Sequence, residues 1–303
     1  MKWLRLFFIY PFISLLPARM AYRLAELAYC YDPELRRPTR IAVANGMRMG
    51  LPSEPDSEQI RTFLADHQRM MGRELLDVYF LPRLSPRNID RWVSVKGAEH
   101  LMQPRADGRG RILAMAHFSR PSLLFAALGI KGVKLNILTQ AIDQANPDLD
   151  WVDRLYLRFK VWANRRHMLG DWITVSENPR RLYNLLLRGE TLVVLFDLRT
   201  TAEEPRVIVP FLGHKLAFPQ GIDRLIKKTG AALYYGAIRD RNWQVDIEIT
   251  ELDVKKHDRP LQGAIAKLEQ EVQRNPANWW QWNVFEFLLA KENQNGGQYD
   301  RLN

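Results

Sequence analysis

An unbroken apolar run, Ile112 to Ala116, stops at His117 and is followed at once by Ser119 and Pro121. A short apolar run before a polar break predicts a buried strand. Ser119 and Pro121 predict a helix start, with the helix running through Leu123–Leu128 to Gly129. The same alternation continues downstream. Strands are expected at 133–139, 172–175 and 191–196, and helices at 149–164 and 179–188, the last closed by Gly189. Strands that are apolar throughout and alternate with helices predict a mostly parallel sheet covered on both faces. The fold class that follows is α/β, one domain with a central sheet flanked by helices.

Elements on either side fit that plan. Asp56 or Ser57 can cap a helix in which Ile60, Phe63, Leu64, Met71, Leu75 and Val78 keep a helical period until Pro82. Trp92–Val95 reads as a strand. Beyond the central region a helix is expected over 219–229, then a hairpin of 231–238 and 243–250 around Asp240–Asn242. Leu261, Ile265, Leu268 and Val272 mark a last amphipathic helix. The polar residues 291–303 are expected to be a disordered tail. The simplest division is 1–50 as a membrane-associating helical segment, 51–290 as the α/β domain, and the tail.

The amino-terminal stretch Leu4 to Leu16 is rich in Phe and Leu but interrupted by Pro11. It is too short to span a bilayer, which takes roughly 20 apolar residues. Through Gly50 there are eight Lys/Arg against three Asp/Glu. That balance favours a segment lying in the interface of a cytoplasmic leaflet, with Trp3, Phe7, Phe8 and Tyr10 as anchors. A secretory signal or a plain first core helix are the other readings. A formal net charge of +10 over 303 residues points to anionic partners. No nucleic-acid-binding module is visible, so nucleic acid is not expected. One cysteine excludes an internal disulfide, and the six histidines lack metal-ligand spacing, so no metal or other cofactor is expected.

A histidine at the carboxyl end of an inner strand stands where open α/β sheets place their chemistry. Imidazole exchanges a proton near neutral pH, which suits a general base. Position alone leaves open a buried histidine satisfied by backbone groups. Ser119 and Ser122 lie nearby, but neither sits in a Gly-x-Ser-x-Gly elbow, so a serine nucleophile is weakly supported.

Several short motifs then fall in order along most of the chain. These are Val93–Leu101 with its Gly-x-Glu-His, His117 to Ser122, Asn146–Pro147 with Asp150, Leu195–Phe196–Asp197, Val209–Pro210–Phe211–Leu212–Gly213, and Pro276 through Trp282. Together they resemble the late acyltransferases of lipid A biosynthesis, within the lysophospholipid acyltransferase superfamily. His117 falls on the histidine of the family's His-x4-Asp/Glu motif. The resemblance implies a membrane-associated acyltransferase on the cytoplasmic face of the inner membrane of a Gram-negative-type bacterium. Its donor would be an acyl carrier protein or coenzyme A thioester, its acceptor a lipid-type hydroxyl or amine, and its partners would include the membrane surface. His117 would be the base; Arg120, Asn146, Arg199, Arg206, Phe211 and Gly213 would contact or shape the substrates. Asp150 reads more readily as a helix cap.

The chain departs from the family where the motif acid should stand, because position 122 is Ser122. A serine is able to orient the imidazole but not to offset its charge. Three outcomes follow: Asp197 substitutes for the acid, a more reactive acceptor tolerates a weak base, or the protein is a catalytically reduced relative that binds lipid or a partner. Thr139–Gln140 replaces the family's Tyr-Arg, Asp197–Leu198 its Asp-Gln, and Val284 or Phe285 its final Arg. Losing those polar positions argues against the sugar-phosphate acceptor of lipid A itself.

Overall fold

A computed structural model describes residues 2–31, 38–51, 55–140, 142, 149–198 and 205–290. Nine strands occur among them: β1 (Val93–Lys96), β2 (Arg111–Met115), β3 (Leu135–Thr139), β4 (Trp172–Thr174), β5 (Thr191–Leu195), β6 (Arg206–Phe211), β7 (His214–Pro219), β8 (Ala232–Arg241) and β9 (Gln244–Leu252). Seven of them form one sheet in the order β1-β9-β8-β2-β5-β3-β4. All its pairings are parallel except β8 with β9, the hairpin expected around Asp240–Asn242.

β2 is central and buried at all its positions. Its side chains alternate between two cores. Leu113 and Met115 enter the layer formed by the Pro121–Ile130 and Trp151–Arg165 helices; Ile112 and Ala114 enter the opposite layer. Burial on both faces is why the strand reads as a continuous apolar run rather than an alternating one. The opposite layer holds the Arg180–Leu187, Gly221–Thr229 and Pro260–Arg274 helices.

The Ser57–Phe80 helix starts with a capping box. Asp56 Oδ1 accepts from the Gln59 N–H at 2.7 Å, and Gln59 Oε1 accepts from the Asp56 N–H at 3.0 Å. This satisfies two N–H groups that a helix start otherwise leaves open. The helix buries Arg73, Glu74 and Asp77 beside its apolar residues.

Two expectations need correction. Phe211 and Gly213, expected to shape a loop beside the substrates, end β6 and take its tight turn into β7, and the two strands pair as a separate antiparallel hairpin. Phe211 ends β6 fully buried, and Gly213 takes the turn with φ +81°. Pro210 hid the strand; it occupies an exposed position of a two-stranded ribbon, where a missing N–H is tolerated. Likewise Pro11 does not interrupt the amino terminus. Residues 2–13 are continuously helical, with a wider π-type turn at Arg5–Ile9 just before the proline.

That first helical run divides its apolar residues. Tyr10 is fully buried, contrary to its expected role as an interfacial anchor. Trp3, Phe8, Phe12 and Leu15 are exposed. Among the described residues no helix is long and apolar enough to cross a membrane. The polar tail expected at 291–303 lies outside the described residues.

Candidate active site

β2 and β5 are parallel neighbours paired Met115↔Leu195, so their carboxyl ends emerge side by side. The Phe196 N–H donates to the Met115 carbonyl at 3.0 Å, which carries the register past both strand ends. His117 and Asp197 then face each other. Asp197 is fully buried, while the His117 side chain keeps about a fifth of its surface exposed.

Three donors hold the Asp197 carboxylate. The His117 backbone N–H reaches both oxygens at 2.9 Å. The His117 ring Nδ1 lies 2.8 Å from Oδ1, and the Trp279 indole N–H donates to Oδ2 at 2.9 Å. A carboxylate only accepts, so the geometry assigns the proton to Nδ1 and leaves the Nε2 lone pair free. This is the orientation a general base requires.

The Trp279 segment wraps this corner. Phe118 and Trp279 form an antiparallel bridge. The Trp280 N–H donates to the His117 carbonyl at 2.9 Å, and the Ser119 N–H to the Asn278 carbonyl at 2.8 Å. The Trp280 indole N–H caps the Ser119 carbonyl at 2.9 Å, and its ring stands 5.6 Å from the imidazole. Behind the segment the Pro38–Gly50 helix approaches closely. A Cβ on Gly46 would stand 1.9 Å from the Trp282 carbonyl oxygen, so only glycine fits. The tryptophan cluster thus acts through hydrogen bonds on both residues of the pair as well as filling a core.

His117 borders a cavity of about 280 Å³. Its wall is mostly apolar, with Phe125, Ile137, Leu157, Trp172 and Leu195, and includes the polar Ser122, Thr139, Gln140 and Lys160. Lys160 is ion-paired with the buried Glu74 and lies 5.5 Å from the Trp280 ring centre. Nothing in the sequence singled out Lys160 or Glu74, since a lysine on an amphipathic helix ordinarily faces solvent.

Of the residues expected at the site, His117, Ser122 and Asp197 come together around the cavity or its base. Ser122 does not orient the ring: its buried Oγ has no hydrogen-bond partner, and Asp197 occupies Nδ1 instead. Arg120 is a larger correction. Its guanidinium is wholly buried and donates to Asp77 at 2.6 and 2.8 Å, to the Asn242 carbonyl at 2.8 Å and to the Tyr22 hydroxyl. Asp240 adds a contact at 3.3 Å. Burial penalises its charge, but Asp77, Tyr22 and Asp240 outweigh that penalty and hold it protonated. Burial also pushes Asp77 upward against the pull of Arg120. With three donors on its carboxylate, the ionised pair is the state this geometry stabilises. Arg120 therefore ties the motif to the Ala18–Cys30 and Ser57–Phe80 helices and the β8–β9 turn, and it does not line the cavity.

Arg206 is exposed at the start of β6, and neither it, Phe211 nor Gly213 lines the cavity. Phe211 packs its ring on Trp279 at 5.3 Å. Asn146 and Arg199 lie outside the described residues. Asp150 caps the Trp151–Arg165 helix, accepting from the Asp153 N–H at 2.8 Å.

A family model described as bacterial lipid A biosynthesis acyltransferase matches residues 1–283. The chain belongs to that family. Among curated proteins no sequence match was found. Membership makes the protein an acyltransferase of lipid A biosynthesis type. The match spans the amino-terminal helices, the sheet and the tryptophan segment that closes on His117.

Proposed function

We propose that this acyltransferase moves a fatty acyl group from an acyl carrier protein or coenzyme A thioester to a hydroxyl or amine of a lipid-type acceptor. The observation that carries the reading is the His117–Asp197 pair beside an apolar cavity. His117 Nε2 takes the proton of the acceptor as its oxygen or nitrogen attacks the thioester carbonyl carbon. The C–S bond then breaks, and the departing thiolate takes the proton back from the imidazolium. Asp197 holds the tautomer and stabilises the imidazolium, by the logic of triad sites. No acyl-enzyme is needed, because the thioester is already activated. The acyl chain lies in the cavity, among Phe125, Ile137 and Trp172.

The same reading places the protein on an anionic membrane surface at the cytoplasmic side. Trp151, Leu155 and Trp162 are exposed on one face of the Trp151–Arg165 helix, while its Leu157, Lys160 and Val161 line the cavity. Lys2 pairs with Asp150 and Asp153, which fastens the first helical run and its exposed Trp3 to that helix. Exposed aromatics beside basic residues suit a lipid interface. A lipid acceptor would then meet the acyl chain across a single helix.

Incubation with labelled acyl carrier protein or acyl-CoA and a cell extract containing lipids and amines tests this reading. Wild type should give one labelled product that His117→Ala does not. Identical label distributions with and without protein would refute it.

A further inference from the structure

We propose that Ser122 is an oxyanion donor: its Oγ–H binds the acyl carbonyl oxygen and stabilises the negative charge that develops there. The inference rests on the acyl-transfer reading above. Ser122 is 0% exposed, and its Oγ has no partner. It nevertheless lines the cavity that His117 borders. A buried hydroxyl without a partner is unfavourable and calls for a reason.

Other polar side chains on the wall, Thr139 and Lys160, each have a partner, as Ser122 does not. Thr139 Oγ1 accepts from the Trp172 indole at 2.9 Å, and Lys160 is paired with Glu74. Ser122 also lies in the first turn of the Pro121–Ile130 helix. Backbone N–H groups there lack intrahelical acceptors, and the helix dipole favours negative charge. A free hydroxyl in such a field is suited to an oxyanion and poorly suited to orienting a cation.

Asp197 takes the Nδ1 side of the imidazole and its positive charge. Ser122, relieved of that task, faces the acyl group. When the acceptor attacks, a bond forms to the carbonyl carbon and the C=O π pair moves onto oxygen, where Ser122 Oγ–H meets it. The pair returns as the C–S bond breaks. A carboxylate at position 122 would repel the same charge.

The test measures acyl transfer and thermal unfolding for the full chain and its Ser122→Ala, Ser122→Thr and Ser122→Asp variants. Removing one such donor lowers kcat by roughly 10²–10³. Ser122→Ala should show that loss with KM unchanged and with no fall in melting temperature. Ser122→Thr keeps the hydroxyl and should recover most of the rate; Ser122→Asp should be slower than wild type. Wild-type kcat in Ser122→Ala, or a gain in Ser122→Asp, would overturn the proposal.

A readout that needs no turnover separates this inference from the acyl-transfer reading. An alkyl trifluoromethyl ketone, which forms a tetrahedral hydrate, should bind wild type at least tenfold tighter than Ser122→Ala by fluorine NMR titration. The matching alkyl thioether should bind both equally. Equal binding of the ketone would overturn the proposal. Ketone discrimination without any acyl transfer by wild type would sink the transfer reading alone.

Discussion

His117 and Asp197 are separated by the same 80 residues that separate each aligned pair of β2 and β5. The contact between them is the strand register continued two residues beyond the sheet. Backbone pairing of two central strands therefore places the imidazole and carboxylate before any side-chain choice is made. The loop from Asn278 to Trp280 fixes the result from the outside, through both backbone and indole hydrogen bonds.

Trp279 should matter to catalysis through one hydrogen bond. Trp279→Phe keeps an aromatic ring in the cluster but removes the N–H that donates to Asp197 Oδ2. Hydrogen bonds to charged groups contribute about 1.5–3 kcal/mol, so a fall in kcat of about tenfold or more is expected with KM little changed. Steady-state kinetics alongside circular dichroism checks this. A rise in KM at constant kcat would count against the positioning role.

Arg120 should behave as a structural ion pair and not as a substrate contact. Arg120→Ala leaves Asp77 buried without its cation, whereas Asp240 keeps its ion pair with Arg73 at 2.8 Å. Such a loss destabilises by about 3–5 kcal/mol. Urea unfolding should show that drop. Normal stability with weakened donor binding would restore the substrate-contact role that its sequence position suggested.

His67 gives the fold an acid limit. Burial lowers its pKa from the ordinary 6.5 to about 4, against a smaller opposing contribution from its hydrogen bond to the Ala277 carbonyl. The unfolded chain therefore binds one more proton than the folded one between those values. The contribution is fully present above pH 6.5 and is lost as pH falls towards 4, by about 3 kcal/mol in all. In His67→Gln this part of the acid decline should vanish from stability measured across pH 4–7. An unchanged slope would contradict the assignment.

The exposed aromatic face should control membrane binding independently of the fold. Phe12 and Trp151 are 71% and 64% exposed, so Phe12→Asp with Trp151→Asp removes apolar surface without touching the core. Flotation with vesicles containing anionic lipid should show at least tenfold weaker binding at an unchanged melting temperature. Undiminished flotation would move the interface to another surface.

The parts legible in the sequence were those whose cause is local. β2 and β5 announce themselves because strands buried on both faces are apolar throughout. Asp197 was reached through the resemblance, whose motif Leu195–Phe196–Asp197 ends a strand in an acid. The β6–β7 hairpin was missed because Pro210 reads as a strand breaker until its exposed ribbon position is known. Arg120 reads as a substrate contact because it stands inside the motif, whereas its partners Asp77 and Asp240 lie 43 and 120 residues away. Tyr10 looked like an anchor because an aromatic beside a basic start gives no sign of which face it turns inward. Long-range pairing leaves no local trace in the chain.

The most direct test of the account is kcat for acyl transfer by Asp197→Asn beside wild type. Neutralising the orienting acid of a serine-protease triad costs roughly 10⁴ in turnover while the geometry is kept. A loss of that order with KM retained is expected. A kcat within threefold of wild type would contradict it, because His117 would then work without the carboxylate that the sheet places against it.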